Sequence, residues 1–246
     1  MYIAGKSDIG LIRSTNQDNY LIVKNKDNDV LALVCDGIGG SKAGDVASLS
    51  VIKFVGHAFS NTEAFSSAVS AKLYLEKVIR LANDDLFAKT LESEEYSGMG
   101  TTLVGALFLS EHTLVVNVGD SRAYTLKDNE LRQVTTDHSL VNDLLQNGQI
   151  SSEEVDNHPQ RNILTNALGV AHSLKIDILE INNYDKLLLC SDGLSGYVAA
   201  EAIKDTLKEA DALESILSKL INMANNAGGY DNITVIVAER GEYSNE

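Results

Sequence analysis

The stretch Leu31-Ala32-Leu33-Val34-Cys35-Asp36-Gly37-Ile38 is an apolar run that meets a carboxylate and then a glycine. It returns in outline as Leu187-Leu188-Leu189-Cys190-Ser191-Asp192-Gly193-Leu194. A short continuous apolar run reads as a strand buried on both faces. Two further junctions share this logic. Val115-Val116-Asn117-Val118-Gly119-Asp120 ends a strand in an aspartate, and Gly228-Gly229-Tyr230-Asp231-Asn232 places one just before the run Ile233 to Val237. Taken singly, Asp-Gly after a strand is an ordinary turn signal. Turn chemistry alone does not explain four apolar strands that each abut a carboxylate. If these ends converge, the repulsion between unpaired carboxylates calls for divalent cations. Oxygen donors without a His or Cys cluster favour Mg2+ or Mn2+ over Zn2+. Glycine after the aspartate leaves its carbonyl free to approach such an ion. Asp27-Asn28-Asp29 opens like an EF-hand loop, but the glycine and closing glutamate of that loop do not follow.

Outward from these junctions, short β-prone blocks are predicted at Leu21 to Val23, Val30 to Cys35, Thr102 to Leu109, Leu114 to Val118, Ala123 to Leu126, Leu174 to Leu179, Leu187 to Cys190 and Ile233 to Val237. Helical spacing joins Ala47, Val51, Phe54, Val55 and Ala58, then Ala68, Leu75, Ile79, Ala82 and Leu86, and later Leu213, Ile216, Leu217, Leu220, Ile221 and Ala224. Asp211 with Glu214 predicts a capping box at the start of the last helix, and Ser151 with Glu154 a second one after an Asn147-Gly148 helix stop. Strands come in clusters and helices in pairs. That order points to antiparallel sheets with helices packed outside, not to a regular alternating parallel sheet.

The chain has 246 residues, 44% hydrophobic and 22% charged, the make-up of a globular protein able to bury a sizeable core. A single proline and no linker-like stretch predict one domain over 1–246. Twenty Lys plus Arg against 35 Asp plus Glu give a net charge of −15, which argues against nucleic acid and anionic membranes as partners. No apolar run approaches the ~20 residues of a membrane helix. The N-terminal residues lack the order of a secretory signal, so a cytoplasmic location is expected. Cys35 and Cys190 are expected as buried, reduced thiols. No long apolar stripe is left unassigned, which favours a monomer.

The polar segment from Asp8 to Asn19 places Arg13 and Asp18 close together in a loop. Arginine is the side chain best shaped to hold phosphate in a fork of two hydrogen bonds. With these residues in view, the chain resembles the metal-dependent serine/threonine protein phosphatases of type 2C, the PPM family, and most of all the bacterial stand-alone catalytic domains. The likeness runs through Arg13 to Asp18, Asp36-Gly37-Ile38-Gly39-Gly40, Gly44-Asp45-Val46-Ala47-Ser48, Gly98-Met99-Gly100-Thr101-Thr102 and Val118-Gly119-Asp120-Ser121-Arg122-Ala123. It continues through Asp137-His138-Ser139-Leu140-Val141, His158-Pro159 to Asn162, Ala167-Leu168-Gly169, Ser191-Asp192-Gly193-Leu194 and Asp231-Asn232-Ile233-Thr234-Val235.

The resemblance implies an α+β fold, a four-layer α-β-β-α sandwich of two antiparallel sheets flanked by helix pairs. It implies that Asp36 bridges two Mn2+ or Mg2+ ions, that the Gly37 carbonyl binds one, and that Asp192 and Asp231 bind the other. Asp120, with Asp192, would hold a third ion. Asp18 would orient water, Asn232 would support it, Arg13 would hold the substrate phosphate, and residues 138–165 would form a mobile flap. The implied reaction is hydrolysis of phosphoserine and phosphothreonine in phosphorylated proteins by direct attack of a metal-bridging hydroxide, with no phosphoenzyme. A cognate serine/threonine kinase is the implied partner. Gln17 stands where many relatives have Glu, Ile38 where some have a general-acid histidine, and Ser41-Lys42 where a His-Arg pair is frequent. The proton for the leaving group is then left to water or to one of His57, His112, His138, His158 and His172. Two alternatives belong to other classes. A phosphohydrolase with an aspartyl nucleophile generally needs a second Asp two residues on, which neither Asp36 nor Asp192 has. A fold that binds phosphoproteins without turnover usually loses metal ligands, and none is lost here.

Overall fold

The computed structural model describes residues 1–39, 43–91, 93–155, 158–170 and 173–240. Gly40, the Ser41-Lys42 pair and His172 lie outside the described residues. The chain begins with β1 (Tyr2–Asp8), β2 (Asp18–Lys24) and β3 (Val30–Ile38), followed by helices α1 (Ala43–Ser60) and α2 (Ala68–Thr90). Then come β4 (Gly100–Thr101), β5 (Leu103–Phe108), β6 (Thr113–Val118), β7 (Arg122–Lys127) and β8 (Glu130–Gln133). The short helices α3 (Leu140–Gln146) and α4 (Ser152–Val155) precede β9 (Asp177–Ile181) and β10 (Lys186–Cys190). The series ends with α5 (Asp192–Ser195), α6 (Ala200–Lys208), α7 (Leu213–Asn226) and β11 (Ile233–Glu239).

Two antiparallel sheets result, in the orders β1-β11-β10-β7-β8 and β2-β3-β5-β6-β9, with β4 paired to β3. The period of two along each strand sorts its side chains into layers. On β3, Leu31, Leu33 and Cys35 join the core shared with α1 and α2, whereas Val30, Ala32 and Val34 join the core between the sheets. On β10, Leu188 and Cys190 face the α6–α7 core, and Leu187 and Leu189 face the other sheet. The order is therefore helices, sheet, sheet, helices, the sandwich that the family resemblance implies. Both cysteines are buried and free. Among the described residues, no helix is long and apolar enough to cross a membrane.

Several local expectations are corrected. β1 and β8 are strands that the apolar pattern missed; they lie at sheet edges, where burial leaves no continuous apolar run. The block Leu174 to Leu179 becomes a strand only from Asp177. β3 does not stop at Asp36 but runs on to Ile38, because β4 supplies partners for Gly37 and Ile38. α7 starts from Ala212, which has no side-chain cap, while Asp211 accepts hydrogen bonds from Ser215 and Lys219 instead. At α4, Glu154 reaches back to the Ser151 N–H at 2.8 Å, but the Ser151 hydroxyl also turns to Glu154, so only the glutamate half of that box forms. The Asn147-Gly148 stop of α3 holds, with Gly148 at φ 68°.

Candidate active site

The carboxylates singled out in the sequence meet at one edge of the sandwich. Antiparallel pairing of β2 with β3 sets Asp18 opposite Asp36. Asp18 is a strand residue and not part of a loop, because β2 starts there. From the other sheet, Ser191 follows the end of β10 and donates its hydroxyl to Asp18 Oδ2 at 2.7 Å, so the two sheets are tied together at this edge. Asp192 opens α5, Asp231 leads into β11, and Asp120 follows β6. Asp18 is buried; Asp36, Asp120, Asp192 and Asp231 are half-buried.

The Asp-Gly pairs have a steric reason. A Cβ at Gly37 would lie 2.1 Å from the Gly44 carbonyl oxygen, and one at Gly193 would lie 1.9 Å from that of Asn232. Only glycine lets the backbone pass so close. The glycines are therefore demanded by packing whatever the carbonyl of Gly37 binds.

The Arg13 loop is stapled by Asn232, whose amide donates to Ile9 O and Thr15 O at 2.9 and 3.0 Å and accepts from the Gln17 N–H at 2.9 Å. The Gln17 carbonyl in turn receives the Gly37 N–H and the Ser48 hydroxyl. Arg13 Nη2 reaches Asp231 Oδ2 at 2.8 Å in a half-exposed ion pair. The sequence reading gave no role to the hydroxyls under the cluster. Thr102 Oγ1 accepts from the Asp36 N–H at 3.0 Å and meets Ser121 Oγ at 2.8 Å; Thr101 Oγ1 donates to the Asp36 carbonyl at 2.8 Å. The only signal for them was their place beside the aspartates in the quoted motifs. Arg122, next to Ser121, is gripped by Asp137 through Nε at 2.9 Å and Nη2 at 2.6 Å.

Burial pushes Asp18 up to about 7 and Asp120 up to about 8, and it raises Asp36 and Asp192 as well. Mutual repulsion adds to the rise: Asp192 and Asp231 act on Asp18, Asp18 and Asp192 act on Asp36, and Asp192 acts on Asp120. The hydrogen bond from Ser191 opposes it at Asp18. Asp18 Oδ1 and Asp192 Oδ1 are buried with no hydrogen-bond partner among the described residues. Among the described residues, no group of three or more His, Cys, Asp or Glu side chains is already gathered as a metal cage. Concentrated negative charge, unsatisfied carboxylate oxygens and an all-oxygen donor set nevertheless fit hard divalent cations. The described histidines stand apart in role: His57 is exposed on α1, His112 pairs with Glu180, His138 pairs with Asp177, and His158 accepts from the Gln160 N–H.

The family model "Protein phosphatase 2C" matches residues 13–238. A serine/threonine phosphatase of Listeria welshimeri is 41% identical over 242 residues, covering 98% of this chain and 96% of its own. The protein phosphatase PhpP of Streptococcus pneumoniae is 34% identical, covering 98% of each. The crystal structure of the serine/threonine phosphatase Stp1 from Staphylococcus aureus superposes with a TM-score of 0.92 at 38% identity, covering 97% of this chain and 94% of that one.

Proposed function

The chain belongs to the protein phosphatase 2C family, and from that membership we infer that it is a metal-dependent serine/threonine protein phosphatase acting on phosphorylated proteins. The observation that carries this reading to particular residues is the convergence of Asp18, Asp36, Asp120, Asp192 and Asp231 beside Arg13, with two buried carboxylate oxygens left unsatisfied. Asp36, the Gly37 carbonyl, Asp192 and Asp231 are the residues that would hold two catalytic Mn2+ or Mg2+ ions, and Asp120 with Asp192 a third. Bound there, such ions lower the pKa of water towards neutrality and offset charge on the phosphoryl group.

The chain's own contribution is positioning. Arg13 exchanges Asp231 for a phosphate oxygen and orients the phosphoryl group, and Asn232 keeps the Arg13 loop in place. Asp18, held by Ser191, accepts a hydrogen bond from water and aims its lone pair at phosphorus. No described histidine is set to protonate the leaving alkoxide, which leaves that proton to water. We read the matched chain as a single catalytic unit with 138–165 as its flap, working in the cytoplasm as a monomer opposite a serine/threonine kinase.

The test is hydrolysis of p-nitrophenyl phosphate and of a phosphothreonine peptide. Turnover should require Mn2+ or Mg2+, stop on chelation, and fall by at least about a thousandfold in Asp192→Ala. Activity that survives either treatment would sink the reading.

A further inference from the structure

His138 opens the 138–165 segment and has no chemical role assigned to it, yet its ring is almost wholly buried, at 3% exposure, and both of its nitrogens are engaged. Nε2 lies 2.9 Å from Asp177 Oδ2. Nδ1 lies 3.2 Å from the backbone nitrogen of Gly119 and 2.9 Å from Asn166 Nδ2. A backbone N–H can only donate. The Asn166 amide is oriented independently, because its Oδ1 accepts from the Lys175 N–H at 3.1 Å and its Nδ2 donates to the Lys175 carbonyl at 2.9 Å. Nδ1 therefore faces two donors and must be an acceptor, which places the ring proton on Nε2, towards the Asp177 carboxylate.

The backbone repeats the connection, since the His138 N–H donates to the Gly119 carbonyl at 2.9 Å. Asn117 Nδ2 donates to that same carbonyl at 3.1 Å. Gly119 has φ 106°, a conformation that a side chain strongly disfavours, and it is the last residue before Asp120. Both polar groups of the Gly119 backbone are thus held, and two of these three hydrogen bonds are to His138.

We propose that His138 is a positioning residue: as the neutral Nε2–H tautomer, its Nδ1 grips the Gly119 N–H and so sets where the Asp120 carboxylate points into the cluster. The inference rests on the reading of Asp120 as a metal ligand. It assigns the buried ring the kind of outer-sphere role by which groups behind a ligand tune affinity about 10- to 100-fold.

The two substitutions His138→Asn and His138→Leu separate this role from packing. Asn keeps an acceptor near the place of Nδ1 but loses bulk; Leu keeps bulk and loses the acceptor. In the metal-stripped full chain, Gly119 amide exchange followed by NMR should quicken at least tenfold in the Leu variant and stay near the parent rate in the Asn variant. Calorimetric titration with Mn2+ should show a binding event weakened about tenfold or more in the Leu variant and largely restored in the Asn variant. A Leu variant that matches the parent in both measurements, or that outperforms the Asn variant, overturns the proposal. If the Leu variant does not fold, the parent protein still decides: long-range 15N spectra must show His138 protonated at Nε2 alone, and a proton on Nδ1 overturns the proposal. Failure of the parent to bind any Mn2+ would overturn the functional reading and this inference with it. The tautomer and the exchange rates are measured without metal and bear on the positioning role alone.

Discussion

Arg13 and Asp231 form an ion pair whose side chains are 49% and 22% exposed. A pair this open to water is worth little, about 0–1 kcal/mol, so the guanidinium can leave it for a phosphate dianion without a large cost. A fork of charge-assisted hydrogen bonds to phosphate is stronger. Arg13→Ala should therefore raise KM for p-nitrophenyl phosphate by roughly 10- to 100-fold, the equivalent of about 1.5–3 kcal/mol, and lower kcat much less. Arg13→Lys should recover only part of the loss, because a point charge replaces a planar fork. An unchanged KM with a collapsed kcat would show that Arg13 acts only in the transition state. At the same scale, one side chain ties a loop together: Asn232 makes three hydrogen bonds to backbone at Ile9, Thr15 and Gln17, in the loop that carries Arg13.

Among the elements, α7 shows where pattern reading works and where it slips. Its buried stripe, Leu213, Ile216, Leu217, Leu220, Ile221 and Ala224, is the one its spacing predicts. Its first turn is not, because the chain enters the helix one residue later than the Asp211–Glu214 signal suggests and leaves Ala212 at the cap with φ −58° and ψ 145°. That backbone is ready for a capping hydroxyl that alanine lacks. Ala212→Ser should stabilise the protein by about 1 kcal/mol, raising Tm by roughly 2–4 °C in a thermal melt. A fall in Tm would mean that the Ala212 methyl contributes packing that the serine disrupts. β3 makes the complementary point. Its apolar face ends at Cys35, so the pattern stops there, yet pairing with β4 carries it to Ile38 and makes Asp36 a strand residue with its backbone locked by Thr101 and Thr102.

At the scale of the whole molecule, the fold gathers like charges that a protein without cations holds at a cost. Asp18 and Asp120 hold their protons up to about 7 and about 8 when folded, against an ordinary value of 3.8. Between those limits the folded state binds more protons than the unfolded one, so the stability of the metal-free protein falls as pH rises from about 4 to about 8. Thermal melts in chelator should thus give a lower Tm near pH 8 than near pH 6, and saturating Mn2+ should raise Tm more at the higher pH. A metal-free Tm that climbs over that interval would contradict the assignment. The sign of this effect was already present in the charge of −15, but its location was not. The amino-acid sequence by itself determined the short apolar runs that build two sheets, the apolar stripes of α1, α2 and α7, the four aspartate junctions and membership of the family, because local burial and short motifs leave a local record. Only the tertiary structure decided that Asp18 faces Asp36, that Ser191 reaches it from 173 positions away, and that a buried histidine grips the residue before Asp120. Those contacts depend on how distant strands cross and register, and no periodicity within a single segment encodes that geometry.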